Sequence, residues 1–182
     1  MATTTAEKSL PIPPLKTHKL FFLSQISLRL FAAAATLAAA WIMLTAKQTS
    51  VVFSIQVDAR YTYSPTFKFF AYTNLIVCAL TILSLFFAYI GNKAVDPAYY
   101  FYIFLHDLMV TMLLMAACAA ATAVGYVGKY GNSHAGWVAI CGYFGKFCHK
   151  ATAASSISYL ALVVYLILTV MSANKARHIV VV

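Results

Sequence analysis

Four stretches of the chain lose their polar residues for long enough to cross a bilayer, at about 23–46, 69–90, 101–127 and 152–173. A transmembrane helix needs about 20 mostly apolar residues to cross a hydrocarbon core roughly 30 Å thick, whereas a barrel strand needs about 9–11 alternating ones. Each stretch is too long and too evenly apolar for a strand. The pattern predicts an all-α membrane protein, a bundle of four transmembrane helices. A polar loop of about 22 residues, a short connection around 91–100 and a loop of about 24 residues join them. The expected organisation is an N-terminal tail over 1–22, read as disordered, a four-span membrane domain over 23–173, and a C-terminal tail over 174–182.

Composition agrees with this reading. Of 182 residues, 63% are hydrophobic and 9% charged, against about 25% charged in a soluble domain. The net charge of +9 would point to nucleic acid in a soluble protein. Here the 13 basic residues lie mostly at the edges of the apolar runs, where they meet lipid headgroups. Membrane lipid is therefore an expected partner and nucleic acid is not.

An even number of spans puts both termini on one side. The positive-inside rule leaves the side open, because six Lys and Arg flank the spans on each side. The third loop holds Cys141 and Cys148, which suit an oxidising compartment, and the N-terminal segment reads as a short basic cytoplasmic arm. Both termini are expected in the cytoplasm. A cleaved signal peptide is the competing reading, and Arg29 inside its apolar region argues against it.

Charges inside apolar spans cost about 2.5–3.5 kcal/mol each on insertion scales. Two stand out: Arg29 in the first span and Asp107 in the third. These spans run in the same direction and both charges lie about 8–9 Å inside the same end. The expectation is an intramembrane ion pair, offered bidentately by the arginine, between first and third helices in contact. Helical stepping puts Ala33, Thr36 and Ala40 on the Arg29 face, and Thr111, Leu114, Cys118, Ala121 and Gly125 on the Asp107 face. Both faces are rich in small residues, which let membrane helices approach closely. The alternative is that Arg29 snorkels to the interface and Asp107 is solvated there. His106 is expected to face another way, at the interface. Ala35 and Ala39, off the Arg29 face, and Asn74, Ser155, Ser156 and Ser158 are available either for lateral contacts or for the internal bundle.

Enzyme chemistry is poorly represented. A haem-bearing bundle needs axial histidines within the membrane, and of His18, His106, His134, His149 and His178 only His106 falls in a span. There is no C-x-x-C motif for a thiol oxidase and no phosphate-binding glycine motif. With four acidic residues, no carboxylate pair is available for acid–base work. Cys141 and Cys148, with six residues between them, read as a disulfide closing the loop. A zinc site shared with His134 and His149 is the alternative. Cys78 and Cys118 read as packing residues. No enzyme activity and no cofactor are expected.

The layout resembles the Casparian strip membrane domain proteins and their CASP-like relatives of plants, which are MARVEL-like. An arginine in the first helix and an aspartate in the third mark that group, and Arg29 and Asp107 match them. Gly131 to Cys148 (GNSHAGWVAICGYFGKFC) resembles the second extracellular loop of the CASP-like branch, with Gly131, Asn132, His134, Gly136 and Trp137 as its outer-loop signature beside the two cysteines. Tyr61 to Leu80 resembles the entry to the family's second helix. The first loop lacks the acidic, Phe-rich signature of the strip-forming members, so the likeness is to the CASP-like group.

That resemblance implies a multi-pass protein of the plant plasma membrane without catalytic activity. It implies a scaffold that forms homo- and heterodimers or larger assemblies with family members. Such a scaffold organises membrane domains or recruits secreted cell-wall-modifying enzymes. The rival reading is a small channel or transporter with a polar pathway near Arg29 and Asp107.

Overall fold

A computed structural model describes residues 14–52, 54–91 and 97–180. The elements in chain order are α1 (Pro14–Leu44), β1 (Lys47–Val52), β2 (Ile55–Arg60), α2 (Pro65–Gly91), α3 (Pro97–Tyr130) and α4 (Gly145–Val180). Three of the four helices begin on proline. The missing N–H costs nothing in a first turn, and the fixed φ is already helical. All four are long and apolar enough to span a membrane, over Phe22–Leu44, Pro65–Phe87, Tyr100–Tyr130 and Gly145–Arg177. Within hydrocarbon a helix satisfies its backbone polar groups internally, which is why these segments are helical throughout.

Around the bundle the neighbours are α1 with α2, α2 with α3, α3 with α4, and α4 with α1. The first and third helices therefore stand diagonally opposite and do not dock face to face. Each helix turns one stripe inward at spacings of three and four residues. On α1 the stripe is Arg29, Ala32, Ala33, Thr36, Ala39, Ala40 and Met43; on α4 it is Ala154, Ser158, Ala161, Leu162, Tyr165, Leu168 and Ser172. Leu30, Phe31, Leu37 and Trp41 of α1 point outward, as suits a lipid-facing surface. Between membrane helices there is no hydrophobic drive, so close packing of small residues and hydrogen bonds hold the bundle.

The helices overrun the apolar stretches at their terminal ends. Residues 14–22 and 174–180, expected as tails, are helical, because hydropathy marks only the hydrocarbon while Lys, Leu and Ala continue a helix readily in water. The rest of the expected tails, residues 1–13 and 181–182, lies outside the described residues.

The first loop, whose composition predicts only a polar connection, contains an antiparallel hairpin. Its register runs from Lys47 opposite Arg60 to Val52 opposite Ile55. Alternation of Ile55, Val57 and Ala59 with polar neighbours is the period-two signal of a strand. The connection lacks the usual glycine, and Ser54 takes a left-handed φ of 66°. Thr49 donates to Asp58 at 2.6 Å and Arg60 donates to its other oxygen at 3.1 Å. The hairpin is anchored to the bundle through Ser50, which donates to the Tyr143 carbonyl at 2.9 Å, and Gln48, which accepts from the Phe147 N–H at 2.9 Å.

The hydroxyl of Thr49, aided by Arg60, holds the Asp58 carboxyl below its ordinary value of 3.8. A depressed folded-state pKa stabilises above the unfolded value, and the benefit disappears as pH falls through the folded one. Amide exchange across residues 47–60 should therefore stay protected above pH 3.8 and weaken only in stronger acid. Thr49→Val should move that loss to higher pH, and an unchanged profile would deny the hydroxyl this role.

Candidate functional site

The charged residues of the spans meet. Arg29 is 3% exposed and Asp107 fully buried, and Nη2 of the arginine lies 2.7 Å from Oδ2 of the aspartate. Each lies seven residues into its span, about 10 Å from the same end at 1.5 Å per residue. The long arginine side chain bridges the diagonal that the helix backbones leave open. The fork is not bidentate on the carboxylate: Nη1 turns to α2 and donates to Ser84 Oγ at 3.0 Å. Ser84 in turn donates to the Thr81 carbonyl at 2.8 Å. From α4, Ser172 donates to Asp107 Oδ2 at 2.8 Å. One ion pair thus takes a side chain from every helix of the bundle.

His106 departs from expectation. Its Nδ1 is 3.3 Å from Asp107 Oδ1, so the ring folds back on the neighbouring carboxylate instead of simply facing the interface. A hydrogen bond there requires the proton on Nδ1. Adjacency in sequence hid this contact, since successive helical residues diverge by about 100° and only a folded-back rotamer joins them. Thr111, one turn on, donates to the Asp107 carbonyl at 2.7 Å and sits 3.1 Å from Thr169 of α4.

Two further polar layers lie toward the hairpin end. Thr81 of α2 and the Tyr165 hydroxyl of α4 are hydrogen-bonded across the other diagonal. Farther along, Ser158 of α4 donates to Asn74 of α2 at 2.9 Å and receives the Cys118 thiol of α3 at 3.2 Å. Cys118 is accordingly both a packing residue and a weak donor. Ser155 stays within its own helix, donating to the Ala151 carbonyl, and Ser156 is exposed.

The small-residue faces take a different role from the one expected. Ala33, Thr36, Ala40 and Ala121 are buried, but with α1 and α3 diagonal they line the axis against α2 and α4 instead of packing on one another. Ala39, open to either a lateral or an internal role, is wholly buried and belongs to the internal bundle. Gly125 makes no close approach at all: a Cβ there would meet nothing within 4 Å.

The outer loop is folded. Cys141 and Cys148 are disulfide-bonded, with Cα atoms 5.7 Å apart, so their sulfurs are not free to join His134 and His149 on a metal. Among the described residues, no three of His, Cys, Asp and Glu gather closely enough to hold one. Asn132 pairs with Trp137 as an antiparallel bridge, and its side chain accepts from the Ala135 N–H at 3.3 Å. Gly131 and Gly136 both take left-handed φ, of 73° and 68°. At Gly131 a Cβ would fall 2.7 Å from the Trp137 carbonyl, whereas Gly136 has open space. His134 and Trp137 are exposed.

These features define a class: a four-helix membrane bundle tied through its core by one ion pair and closed at one end by a hairpin and a disulfide-bonded loop. The Casparian strip membrane protein domain matches residues 18–164, and the chain belongs to that family. It is 52% identical over 168 residues to CASP-like protein 1F1 of Vitis vinifera, covering 92% of this chain and 82% of that one. It is 49% identical over 173 residues to CASP-like protein 1F2 of Populus trichocarpa, covering 94% and 96%. CASP-like protein 1F1 of Arabidopsis thaliana is 37% identical over 154 residues, covering 85% and 89%. No solved structure matches the chain significantly.

Removing one partner of a buried ion pair strands the other charge, at a cost of about 3–5 kcal/mol, whereas replacing both by apolar residues is close to neutral. Asp107→Ala should therefore lower thermal stability in detergent far more than Asp107→Asn, and Arg29→Met with Asp107→Leu should recover most of the loss. Equal melting temperatures for Asp107→Ala and the unmutated protein would refute the pair's structural role. In the loop, Gly136→Ala should cost about 1–2 kcal/mol for its left-handed backbone. Gly131→Ala should cost more, because it adds a collision; the same melting assay ranks them.

Proposed function

We propose that this chain is a non-enzymatic scaffold of the plasma membrane, with both termini in the cytoplasm, that assembles laterally with copies of itself and with related family members. Such an assembly organises a membrane domain or recruits secreted cell-wall-modifying proteins. One observation carries the reading. The two charges deep within the spans, Arg29 and Asp107, are consumed by internal bonds, while the cap presents apolar side chains outward. Trp137 is 61% and Val138 76% exposed on the loop, and Val51 and Ile55 are each 66% exposed on the hairpin. Large apolar side chains exposed at a membrane surface suit protein or membrane interaction, and the disulfide and hairpin anchors hold the segments that carry them.

The closure of the ion pair also bears on the rival reading. A conduction pathway wants polar groups facing water along the bundle axis, and here Arg29, Ser84, Asp107 and Ser172 face one another.

Mass photometry of the protein in nanodiscs tests the proposal. A discrete dimer or larger assembly is expected, and Trp137→Ala together with Val138→Ser should abolish recruitment of a wall protein without altering the fold. A strict monomer would overturn lateral assembly. Ion flux through reconstituted liposomes above that of empty vesicles would replace the scaffold with a channel.

A further inference from the structure

Between the hairpin-side ends of α3 and α4, beneath the disulfide-bonded loop, lies a cleft of about 560 Å³. That volume falls within the roughly 300–1,000 Å³ typical of ligand sites. Its walls are mainly apolar, including Ala121, Ile140, Phe147 and Ala151, with Thr152, Ser155 and His149 also on the lining, and Gly125 lies along it with open space where a side chain would be. The absence of a side chain at Gly125 helps leave this slot open. Thr122 and Tyr126 line the cleft and are exposed on the outside of the bundle, so it is reached from the surrounding bilayer.

The mouth has a different chemistry. Lys129 stands in the last turn of α3 and lines the cleft at the end of the span, at headgroup depth. Its ammonium lies 5.1 Å from the Tyr130 ring centre, and among the described residues no carboxylate lies within 4 Å of it. Gly125 and Ala121 lie one and two turns deeper, in hydrocarbon. An apolar slot at depth with a lysine ammonium at headgroup level complements an amphiphile of one design. We propose that the cleft is a binding site for a single anionic phospholipid, its acyl chain lying along Gly125 and its phosphate on Lys129.

The probe is the full chain taken from bilayers of phosphatidylcholine mixed with phosphatidylglycerol and examined by native mass spectrometry. The unmutated protein should retain one phospholipid, enriched in phosphatidylglycerol over the bilayer. Gly125→Leu, which fills the slot without meeting protein atoms at Cβ and raises helix propensity, should cut retention roughly tenfold, equivalent to about 1.4 kcal/mol. Thr152→Phe, from the facing wall on α4, should do the same, so the test survives failure of either variant to fold. Lys129→Gln should keep the lipid and lose the enrichment. Undiminished retention in well-folded Gly125→Leu and Thr152→Phe overturns the site. So does a change of oligomeric state in these variants with lipid retention intact, which would assign the cleft to a neighbouring copy. Enrichment unaffected by Lys129→Gln overturns the anionic headgroup.

Discussion

A guanidinium in hydrocarbon needs an anion, and meeting that need fixes the arrangement of this bundle. Arg29 spans the axis to Asp107 and gives its second nitrogen to Ser84, while Ser172 completes the carboxylate. The magnitudes rank the contributions. An interhelical hydrogen bond in a membrane is worth about 0.6 kcal/mol on average, but breaking a buried ion pair from one side costs several times that. The serines, Thr81 with Tyr165, and Asn74 with Ser158 refine the packing; the ion pair decides which four helices belong together and at what depth.

The remaining sequence follows from that constraint. Helices that exchange hydrogen bonds across a diagonal must stand close, so α1 turns Ala32, Ala33, Ala39 and Ala40 inward. The larger apolar side chains are left to face lipid, where they gain nothing from packing on one another and solvate the bundle. At the opposite end the logic reverses. Chain leaving the membrane has water to satisfy, so it folds into a hairpin and a disulfide-bonded loop whose backbone groups are largely paired with each other and with the start of α4.

The spans, the matched depth of Arg29 and Asp107 and the pairing of Cys141 with Cys148 were all legible in the sequence, because hydropathy, residue counting and loop spacing encode them directly. Neighbour relations were not. A helical period identifies which side of α1 and α3 faces inward, but that side suits any order of helices round the ring, and the length of an arginine lets partners bond without their backbones touching. Gly125 misled for the same reason: it lies one turn past Ala121 on the inward stripe, yet faces a cleft. The hairpin escaped because its alternation covers only Ile55 to Ala59 and its turn uses Ser54, without the Asn-Gly or Asp-Gly that advertises a two-residue connection. His106 escaped because a residue beside another in a helix is normally assigned to a different face.

The diagonal placement of the two charges has a consequence for biosynthesis. Arg29 enters the bilayer on the first helix, and its carboxylate lies 78 residues later, with the serine that completes it 65 residues beyond that. The first two helices can pair, but they leave the guanidinium's main partner unmade. Insertion of the third helix then neutralises the charge, and the fourth adds the serine that completes the hydrogen bonding of the carboxylate. Translation that stops before the third helix leaves a cation exposed to acyl chains, so passage through the third span is written into the membrane itself as the presence or absence of an unpaired charge.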